Sequence, residues 1–324
     1  MMPRYLIVLL LSLAVPSCGP LSVTIGSAPE GAIEQTIVED GGRWVRDRVA
    51  IIDVSGFLLN GPVRGILSEG ENPVGYLHER LEEARRDQRI KAVILRLNTP
   101  GGTVTASDAM YREVRRFRQL SGKPVVAMML DVAASGGYYT ACAADRIIAY
   151  PTSITGSIGV LMQTVSFKSL LDRWDIRTDA IVSGPFKDLG SPLSHLTVEE
   201  RAILQGIVDE FYGRFVTIVR ENRPDITPVD LATATDGRVF TGEQAVKVGL
   251  VDATGDLYDA FTAAKQMAGL ARADLVLLHR EGTFAGSIYS RSPQTPMTQI
   301  NLAQINLDTL PHDPTRSFLY LWQP

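Results

Sequence analysis

Short apolar runs alternate with glycine-containing turns and amphipathic segments along the middle of the chain. The runs at 49–54, 92–95, 125–130 and 146–149 are mostly apolar and predict buried strands of a parallel sheet. Each run is followed by a turn with glycine, and helical periodicity recurs between them. Strand, turn and helix repeat, which predicts an α/β fold built as a spiral of β-β-α units. No G-x-G-x-x-G occurs, so a dinucleotide-binding sheet is not expected.

Capping signals predict where two helices begin. Asn72 stands before Pro73, which suits the N-cap and first position of a helix. Thr197 and Glu200 have the spacing of a capping box and open the longest predicted helix. The apolar stripe of that helix consists of Ile203, Ile207, Phe211, Phe215 and Ile218. We expect so long a stripe to pack on its own sheet and on a neighbouring subunit. Further elements are predicted as a helix at 167–174, a strand at 180–182, a helix at 256–267 and a strand at 275–278.

The first eighteen residues have the pattern of a targeting segment. Arg4 precedes an apolar run from 5 to 15, which is too short to span a bilayer and ends before Cys18. This ending resembles a bacterial lipoprotein signal, in which cleavage before Cys18 leaves the cysteine to carry lipid. Plain secretion and an uncleaved anchor remain open. All three alternatives place the body of the protein outside the cytoplasm.

Composition divides the rest of the chain into three parts. Residues 19–42 are small and polar, which suits a tether or a weakly paired edge segment. One globular domain is predicted from 43 to 281. Residues 282–324 are rich in Ser, Thr, Gln, Asn and Pro, which predicts a tail of low order, apart from the apolar ending at 318–322.

The overall composition excludes two classes of partner. The 324 residues are 45% hydrophobic with a net charge of -4, and no basic block is interleaved with aromatic residues, so nucleic acid is not expected as a partner. The four histidines are far apart and lack ligand spacing, so no metal site is predicted. The two cysteines, Cys18 and Cys142, lie in unrelated segments, and a structural disulfide is not expected.

Ser135 lies in a turn between the apolar run at 125–130 and a helix of small residues, directly before Gly136 and Gly137. A serine at such a turn projects its hydroxyl from the end of the sheet, and the two glycines let a substrate carbonyl approach the backbone. The first N–H groups of the helix have no intrahelical partner, so they can face developing negative charge. The same residues also suit an ordinary N-cap serine. A catalytic role for Ser135 therefore requires a base elsewhere in the chain.

The sequence offers lysine rather than histidine as that base. His195 stands beside a helix start, where a surface or capping role explains it better. A lysine can act as a base if apolar surroundings lower its pKa from about 10.4 to roughly 7 or 8. Lys187 follows Phe186 in a loop of glycines and prolines. Because Asp188 is its neighbour, an ordinary solvated lysine paired with that carboxylate is the alternative.

Five short motifs occur in a fixed order along the chain. They are Pro-Gly-Gly-Thr at 100–103, Ala-Ser-Gly-Gly-Tyr-Tyr at 134–139, Ile-Thr-Gly-Ser-Ile-Gly at 154–159, Ser-Gly-Pro-Phe-Lys-Asp at 183–188 and Gly-Arg-Val-Phe-Thr-Gly-Glu-Gln-Ala at 237–245. Together they closely resemble the signal peptide peptidase A family of membrane-associated serine peptidases, within the Clp-protease and crotonase superfamily. The resemblance runs from about residue 48 to residue 269 and implies the spiral fold of that superfamily, with glycine turns at the carboxyl edge of the sheet.

The resemblance implies a role for each of five residues. Ser135 is the nucleophile, and Lys187 is its general base. Ser157 hydrogen-bonds the lysine ammonium and orients it. The N–H groups of Gly102 and Gly136 form the oxyanion hole. The resemblance implies no cofactor.

The resemblance also implies substrates, partners and a location. Extended apolar peptides, such as released signal peptides, are expected to bind as an added strand beside Gly102. The location is the extracytoplasmic, periplasmic side of the bacterial cell envelope, at the membrane through the N-terminus. Longer family members carry two copies of the module, whereas each motif occurs once here. Because serine and lysine can come from neighbouring modules, we predict a homo-oligomeric ring in which Lys187 of one protomer serves Ser135 of the next.

Two other functions remain open from the sequence. A crotonase-type acyl-CoA enzyme also uses Gly-Gly turns as an oxyanion hole, but it predicts catalytic carboxylates near the turns and a cytoplasmic location, which the N-terminal signal opposes. A relative without activity, which keeps the scaffold for assembly in the envelope, is the second alternative.

Overall fold

A computed structural model of the protein describes residues 31–61, 71–280, 287 and 318–322. The predicted signal segment and most of the predicted tail lie outside these residues. The described strands are β1 Ile33–Glu39, β2 Arg48–Leu58, β3 Ile90–Thr103, β4 Val125–Ala134, β5 Arg146–Ala149, β6 Ile154–Gly156, β7 Val239–Thr241, β8 Ala253–Thr254, β9 Asp274–Arg280 and β10 Leu319–Leu321. The described helices are α1 Pro73–Arg86, α2 Val104–Ser121, α3 Gly136–Ala141, α4 Lys168–Arg173, α5 Val198–Asn222, α6 Pro228–Ala234, α7 Gly242–Lys247 and α8 Leu257–Met267.

These strands form one mostly parallel sheet. Its main path runs β1-β9-β2-β3-β4-β5-β8, and all neighbours on this path are parallel except β1 and β9. Strand β6 continues parallel to the end of β4 and pairs with β7 on its other side. The predicted α/β fold with its glycine turns at the carboxyl edge is confirmed.

Alternate side chains of the central strands enter two cores, one on each face of the sheet. Ala50 and Ile52 of β2 face the core that α1, α2 and α5 cover, whereas Val49 and Ile51 face the core under α8. All four side chains are fully buried. Burial on both faces explains why these strands are continuous apolar runs in the sequence rather than alternating ones.

The predicted helix starts are confirmed. The Asn72 side chain accepts a hydrogen bond from the Val74 amide, with Pro73 at the first helical position. Thr197 and Glu200 form a reciprocal capping box at the start of α5. The stripe on α5 is buried at Phe215 and Ile218 and becomes exposed toward the N-terminus of the helix. The second half of α5 therefore joins the core, whereas the first half buries only Glu200 and Leu204.

The segment between Ser157 and α5 differs most from expectation. We call residues 160–197 the arm; it contains one short helix, α4, which buries none of its residues. The predicted strand at 180–182 is wrong: these residues have no regular structure, and Ile181 is fully exposed. An apolar triplet forms a strand only where a neighbouring strand and a core accept it. The described chain supplies neither at this place.

The segments on either side of the predicted domain, residues 19–42 and 282–324, each contribute a strand to the sheet. Residues 33–39, inside the predicted segment 19–42, form the edge strand β1 on β9, so this part is an edge segment rather than a tether. The apolar ending forms β10, which pairs with the last residues of β3, beyond the point where β4 leaves it. Within the described residues, no helix is both long enough and apolar enough to cross a membrane.

Candidate active site

Two serines lie side by side at the carboxyl edge of the sheet. Ser135 directly follows β4, and Ser157 directly follows β6; in this parallel pair Ala134 stands opposite Gly156. The Ser135 amide donates to the Gly156 carbonyl oxygen at 2.8 Å. Because neighbouring strands are about 5 Å apart, the ladder holds both serines at one point of the edge. Both predicted residues are nearly buried, with exposed fractions of 1% and 9%.

The backbone of Ser135 has an unusual conformation. Its φ of 52° and ψ of -114° lie in a region that costs a non-glycine residue about 1–3 kcal/mol. Ser157 shares the positive φ, at 50°. Ser135 stands at the N-cap position, and its carbonyl oxygen accepts from the Tyr139 amide at 2.9 Å, but it is not an ordinary N-cap serine, because its backbone is not extended and its side chain accepts no hydrogen bond from the helix. A serine on a strained strand-to-helix turn is the geometry that presents a nucleophile.

The Ser135 hydroxyl itself is buried and has no hydrogen-bond partner among the described residues. Buried polar groups in folded proteins are nearly always bonded, so an exception calls for a functional explanation. An alcohol kept free at the end of a sheet is available to a base and a substrate that come from elsewhere.

Two glycine turns touch beside this hydroxyl. A β-carbon on Gly136 would lie 2.3 Å from Ser107 Oγ and 3.2 Å from the Gly102 amide nitrogen, and a β-carbon on Gly102 would lie 2.0 Å from the Leu58 carbonyl oxygen. Neither position can accept a side chain without a shift of the backbone around it. The amides of Gly102 and the first residue of α3 are thereby brought together, as a two-donor oxyanion hole requires.

Thr99 holds the two glycine turns against each other, although no motif in the sequence indicated such a role. Its hydroxyl donates to the Gly56 carbonyl oxygen at 2.5 Å and accepts from the Gly101 amide at 3.0 Å. Its methyl group fills the space that a β-carbon on Gly137 would need, at 2.7 Å. Thr99 therefore ties the Gly101 turn to β2 and packs it against the serine turn.

Lys187 does not join the serines within one chain. Its side chain is exposed on the arm, and no described residue forms a hydrogen bond or an ion pair with its ammonium group. The alternative in which Asp188 pairs with it is not observed. The arm also exposes large apolar side chains: Val165, Phe167, Leu170, Trp174, Ile176, Ile181, Val182, Phe186 and Leu193. So large an apolar surface on one segment is typical of an interaction site.

Comparisons with known proteins identify the family. The family model described as Peptidase family S49 matches residues 117–271. A protein of Methanocaldococcus jannaschii that is named as a protease is 36% identical over 228 residues, which cover 69% of this chain and 72% of the relative. A protein of Enterococcus faecium named as a signal peptide peptidase SppA is 30% identical over 79% of this chain and 73% of its own length. Protease 4 of Salmonella typhi is 35% identical over 64% of this chain and 34% of its own.

The chain belongs to the signal peptide peptidase A family. It is therefore a peptidase, and the acyl-CoA alternative has no support among these relatives. The resemblance inferred from the five motifs is confirmed.

Other nucleophiles and ligands do not compete with Ser135. Burial raises the pKa of the Cys142 thiol to about 12, so its thiolate is not available. His195 is exposed, and within the described residues its side chain forms a hydrogen bond only with the Ser169 hydroxyl, at 3.4 Å, as expected for a surface residue. Among the described residues, no three His, Cys, Asp or Glu side chains form a group that could hold a metal ion.

An aromatic cluster that the sequence did not predict lies behind the serine turn of this peptidase. Tyr139 packs edge-on against Tyr111, with ring centroids 5.5 Å apart, and its hydroxyl donates to Asp108 at 2.8 Å. Burial acts to raise the pKa of Asp108, but hydrogen bonds from Arg112, Arg214 and Tyr139 outweigh it and hold the pKa below its ordinary value. The cluster is therefore anchored by a charged carboxylate at neutral pH.

Proposed function

We propose that this peptidase is a serine endopeptidase in which Ser135 is the nucleophile, Lys187 the general base and Ser157 the residue that orients the base. The observation that carries the proposal is the strained, buried and unbonded Ser135 hydroxyl beside the touching turns of Gly102 and Gly136. These groups have the chemistry that acyl transfer needs: an alcohol and two converging backbone donors.

The reaction follows from these positions. Ser135 Oγ attacks the carbonyl carbon of a peptide bond while Lys187 takes the hydroxyl proton. The amides of Gly102 and Gly136 donate to the oxyanion, and each such donor contributes roughly 10²- to 10³-fold in rate. Lys187 then gives its proton to the departing amine, which leaves an acyl-enzyme. Water activated by the same lysine hydrolyses this ester and restores Ser135.

An oligomer supplies the base in this proposal. A general-base lysine needs enclosed, apolar surroundings, and Lys187 is exposed in the single chain. Packing of the apolar arm onto a neighbouring copy would bury the lysine and bring it to that copy's Ser135. The exposed apolar side chains of the arm support this arrangement.

The proposed substrates are extended apolar peptides, such as released signal peptides, which bind as an added strand at the end of β3. The relative of Enterococcus faecium is named for this class of substrate. The proposed place of action is the membrane surface of the bacterial envelope, to which the N-terminal segment directs the chain.

A fluorophosphonate probe and an internally quenched apolar peptide test the proposal together. We expect the assembled protein to be labelled at Ser135, and Ser135→Ala and Lys187→Met each to lower peptide hydrolysis by at least about 10⁴-fold. Lys168→Met is the matched control, since this arm lysine forms an ion pair with Asp172 and has no proposed role. Hydrolysis that persists in Lys187→Met would refute the dyad. A protein that is neither labelled nor active would be the scaffold without activity.

A further inference from the structure

Strand β4 changes its neighbour shortly before it reaches Ser135. Residues 126–129 of this strand lie parallel to β5, whereas residues 132–134 lie parallel to β6. The strand therefore bends between these two parts, away from β5 and toward the segment that carries the second serine. Because Ser135 directly follows the last paired residue, the shape of this bend determines where its hydroxyl lies.

The bend contains extra residues. On the β3 side, Leu97 and Thr99 stand opposite Met129 and Ala133. Between these two pairs, β3 has one residue and β4 has three, which makes a bulge in a parallel pair of strands. We call residues 130–132 the β4 bulge. Bulges redirect the strand that carries them and are frequent next to active sites.

Asn98 is the single residue of β3 that faces the β4 bulge. Its Oδ1 accepts from the Val132 amide at 3.3 Å, and its Nδ2 donates to Asp131 Oδ2 at 3.2 Å. The next residue, Thr99, bonds the Gly101 turn. Two successive residues of β3 therefore connect the turn of the proposed oxyanion donors with the strand of the proposed nucleophile.

Two hydroxyl groups hold the same strand from its other side. The Ser153 hydroxyl is shared between the carbonyl oxygens of Met129, at 3.0 Å, and Leu130. The Thr155 hydroxyl donates to the Ala133 carbonyl oxygen at 2.7 Å. Both side chains are fully buried. The main chain is thus bonded to side chains at both ends of the β4 bulge.

The same two hydroxyls also belong to the segment that leads into Ser157. Thr155 lies two residues before Ser157, so its bond joins the two serine-bearing segments directly. Ser135 and Ser157 both have positive φ, at 52° and 50°. Such backbone conformations persist only where the surrounding structure holds them. The bonds from Ser153 and Thr155 contribute to this restraint.

We infer that Asn98, Ser153 and Thr155 are positioning residues for the reaction, because their bonds to the β4 bulge and its flanks set the position of Ser135 Oγ relative to the two oxyanion donors. The inference rests on the proposed function. These residues act through the main chain of β4, so their loss should lower kcat and leave KM nearly unchanged. A displacement of about 1 Å at a reacting group can cost about 10²-fold in rate.

Two substitutions of Thr155 separate its hydrogen bond from its packing. Thr155→Val keeps the shape of the side chain and removes the hydroxyl, whereas Thr155→Ser keeps the hydroxyl and removes the methyl group. In the full-length assembled protein, we expect kcat for an internally quenched apolar peptide to fall about 10- to 100-fold in Thr155→Val and to stay within about threefold in Thr155→Ser. KM should stay within about twofold in both variants. A larger loss of kcat in Thr155→Ser would show that packing matters instead, and would overturn the inference for this residue.

An exchange of two side chains tests Asn98. Asn98→Asp places a second carboxylate beside Asp131, so we expect kcat to fall at least about tenfold. Adding Asp131→Asn restores an amide and a carboxylate at this place with their positions exchanged, and kcat should return to within about threefold of the wild type. A double variant no more active than Asn98→Asp alone would contradict the role of this bond.

Ser153→Ala has a matched control at the opposite end of β4. Ser121, the last residue of α2, also bonds main-chain atoms: its hydroxyl donates to the Phe117 carbonyl oxygen at 2.7 Å and accepts from the Lys123 amide at 3.2 Å. We expect Ser153→Ala to lower kcat and the rate of labelling by a fluorophosphonate at least about tenfold. Ser121→Ala should leave both rates unchanged, although it also loses stability.

The outcomes distinguish this inference from the proposed function. If Ser153→Ala and Thr155→Val lower Tm but leave kcat and the labelling rate unchanged, the two hydroxyls are structural only, and the inference fails while Ser135-dependent cleavage stands. If Ser153→Ala does not fold, the comparison of the two Thr155 variants decides. A wild-type protein that is neither labelled nor active would refute the proposed function, and the inference with it.

Discussion

The sheet edge that carries Ser135 and the arm that carries Lys187 are built in opposite ways. At the edge, ladder pairs join β4 to β6, the serines are nearly buried, and glycine turns touch at distances that leave no room for a β-carbon. In the arm, α4 buries no residue, and apolar side chains face outward. One chain thus brings the proposed nucleophile and the proposed oxyanion donors together, whereas Lys187, the proposed base, lies exposed on the arm.

Mixing two inactive variants is the most decisive test of whether Ser135 and Lys187 of one site come from different chains. Ser135→Ala and Lys187→Met are each expected to be inactive alone. If protomers share sites, random co-assembly joins an intact Ser135 to an intact Lys187 at about one site in four, and activity should return to about a quarter of the wild-type value. The measurement is peptide hydrolysis after unfolding and joint refolding, or after co-expression.

Two controls accompany the mixing experiment. Recovery of untagged wild-type protein with affinity-tagged Ser135→Ala reports how well subunits exchange, and each variant refolded alone gives the background. If exchange is complete and the mixture stays inactive, both residues of a site come from the same chain, and the contrast between edge and arm does not extend to catalysis.

Two glycine substitutions compare the packing of the sheet edge with that of the arm. In Gly102→Ala, the new methyl group meets the Leu58 backbone, so we expect activity to fall at least about 10²-fold and Tm to fall by at least about 5 °C. A β-carbon added to Gly184 of the arm would have no atom within 4 Å. In Gly184→Ala, Tm should therefore stay within about 2 °C. Equal losses in both variants would contradict the difference drawn here.

The smallest expected effect concerns acid stability. Because the folded pKa of Asp108 lies below its unfolded value of about 3.9, its charge stabilises the fold above that value, and this contribution is lost as pH falls through the folded pKa. The Tm of Asp108→Asn should therefore fall less than that of the wild type between pH 6 and pH 3. The control is Asp172→Asn in the arm, where the carboxylate is half exposed and its ion pair contributes little. A control curve that departs from the wild type as much as Asp108→Asn would contradict the assignment.

The sheet and its edge could be predicted because local pattern and final environment agree there. Residues 146–149 form β5 as predicted, and Asn72 and Thr197 cap helices as predicted, since short-range spacing determines these features. Residues 180–182 have an equally apolar pattern but no strand partner among the described residues, and the sequence carries no sign of that absence. Tertiary context decided the outcome there.

The candidate site also contains residues that local pattern predicts and residues that depend on tertiary contacts. Ser135, Ser157 and the two glycines come from turns that a parallel ladder must bring to one edge, so their meeting followed from the order of strands. Thr99 and the aromatic cluster around Tyr139 could not be predicted, because they act through contacts between elements far apart in sequence. The apolar ending at 318–322 was noticed, but its pairing with β3 depends on a register that composition does not encode.

The second serine turn is tied to a distant part of the chain by a main-chain hydrogen bond. The Ser157 amide donates to the Arg238 carbonyl oxygen at 2.7 Å, while the Arg238 side chain turns away to Asp236. A peptide group offers the same oxygen whatever residue carries it. This bond therefore does not require an arginine at position 238, whereas a deletion that shortened the stretch before β7 would misalign the serine turn without removing any residue of the site.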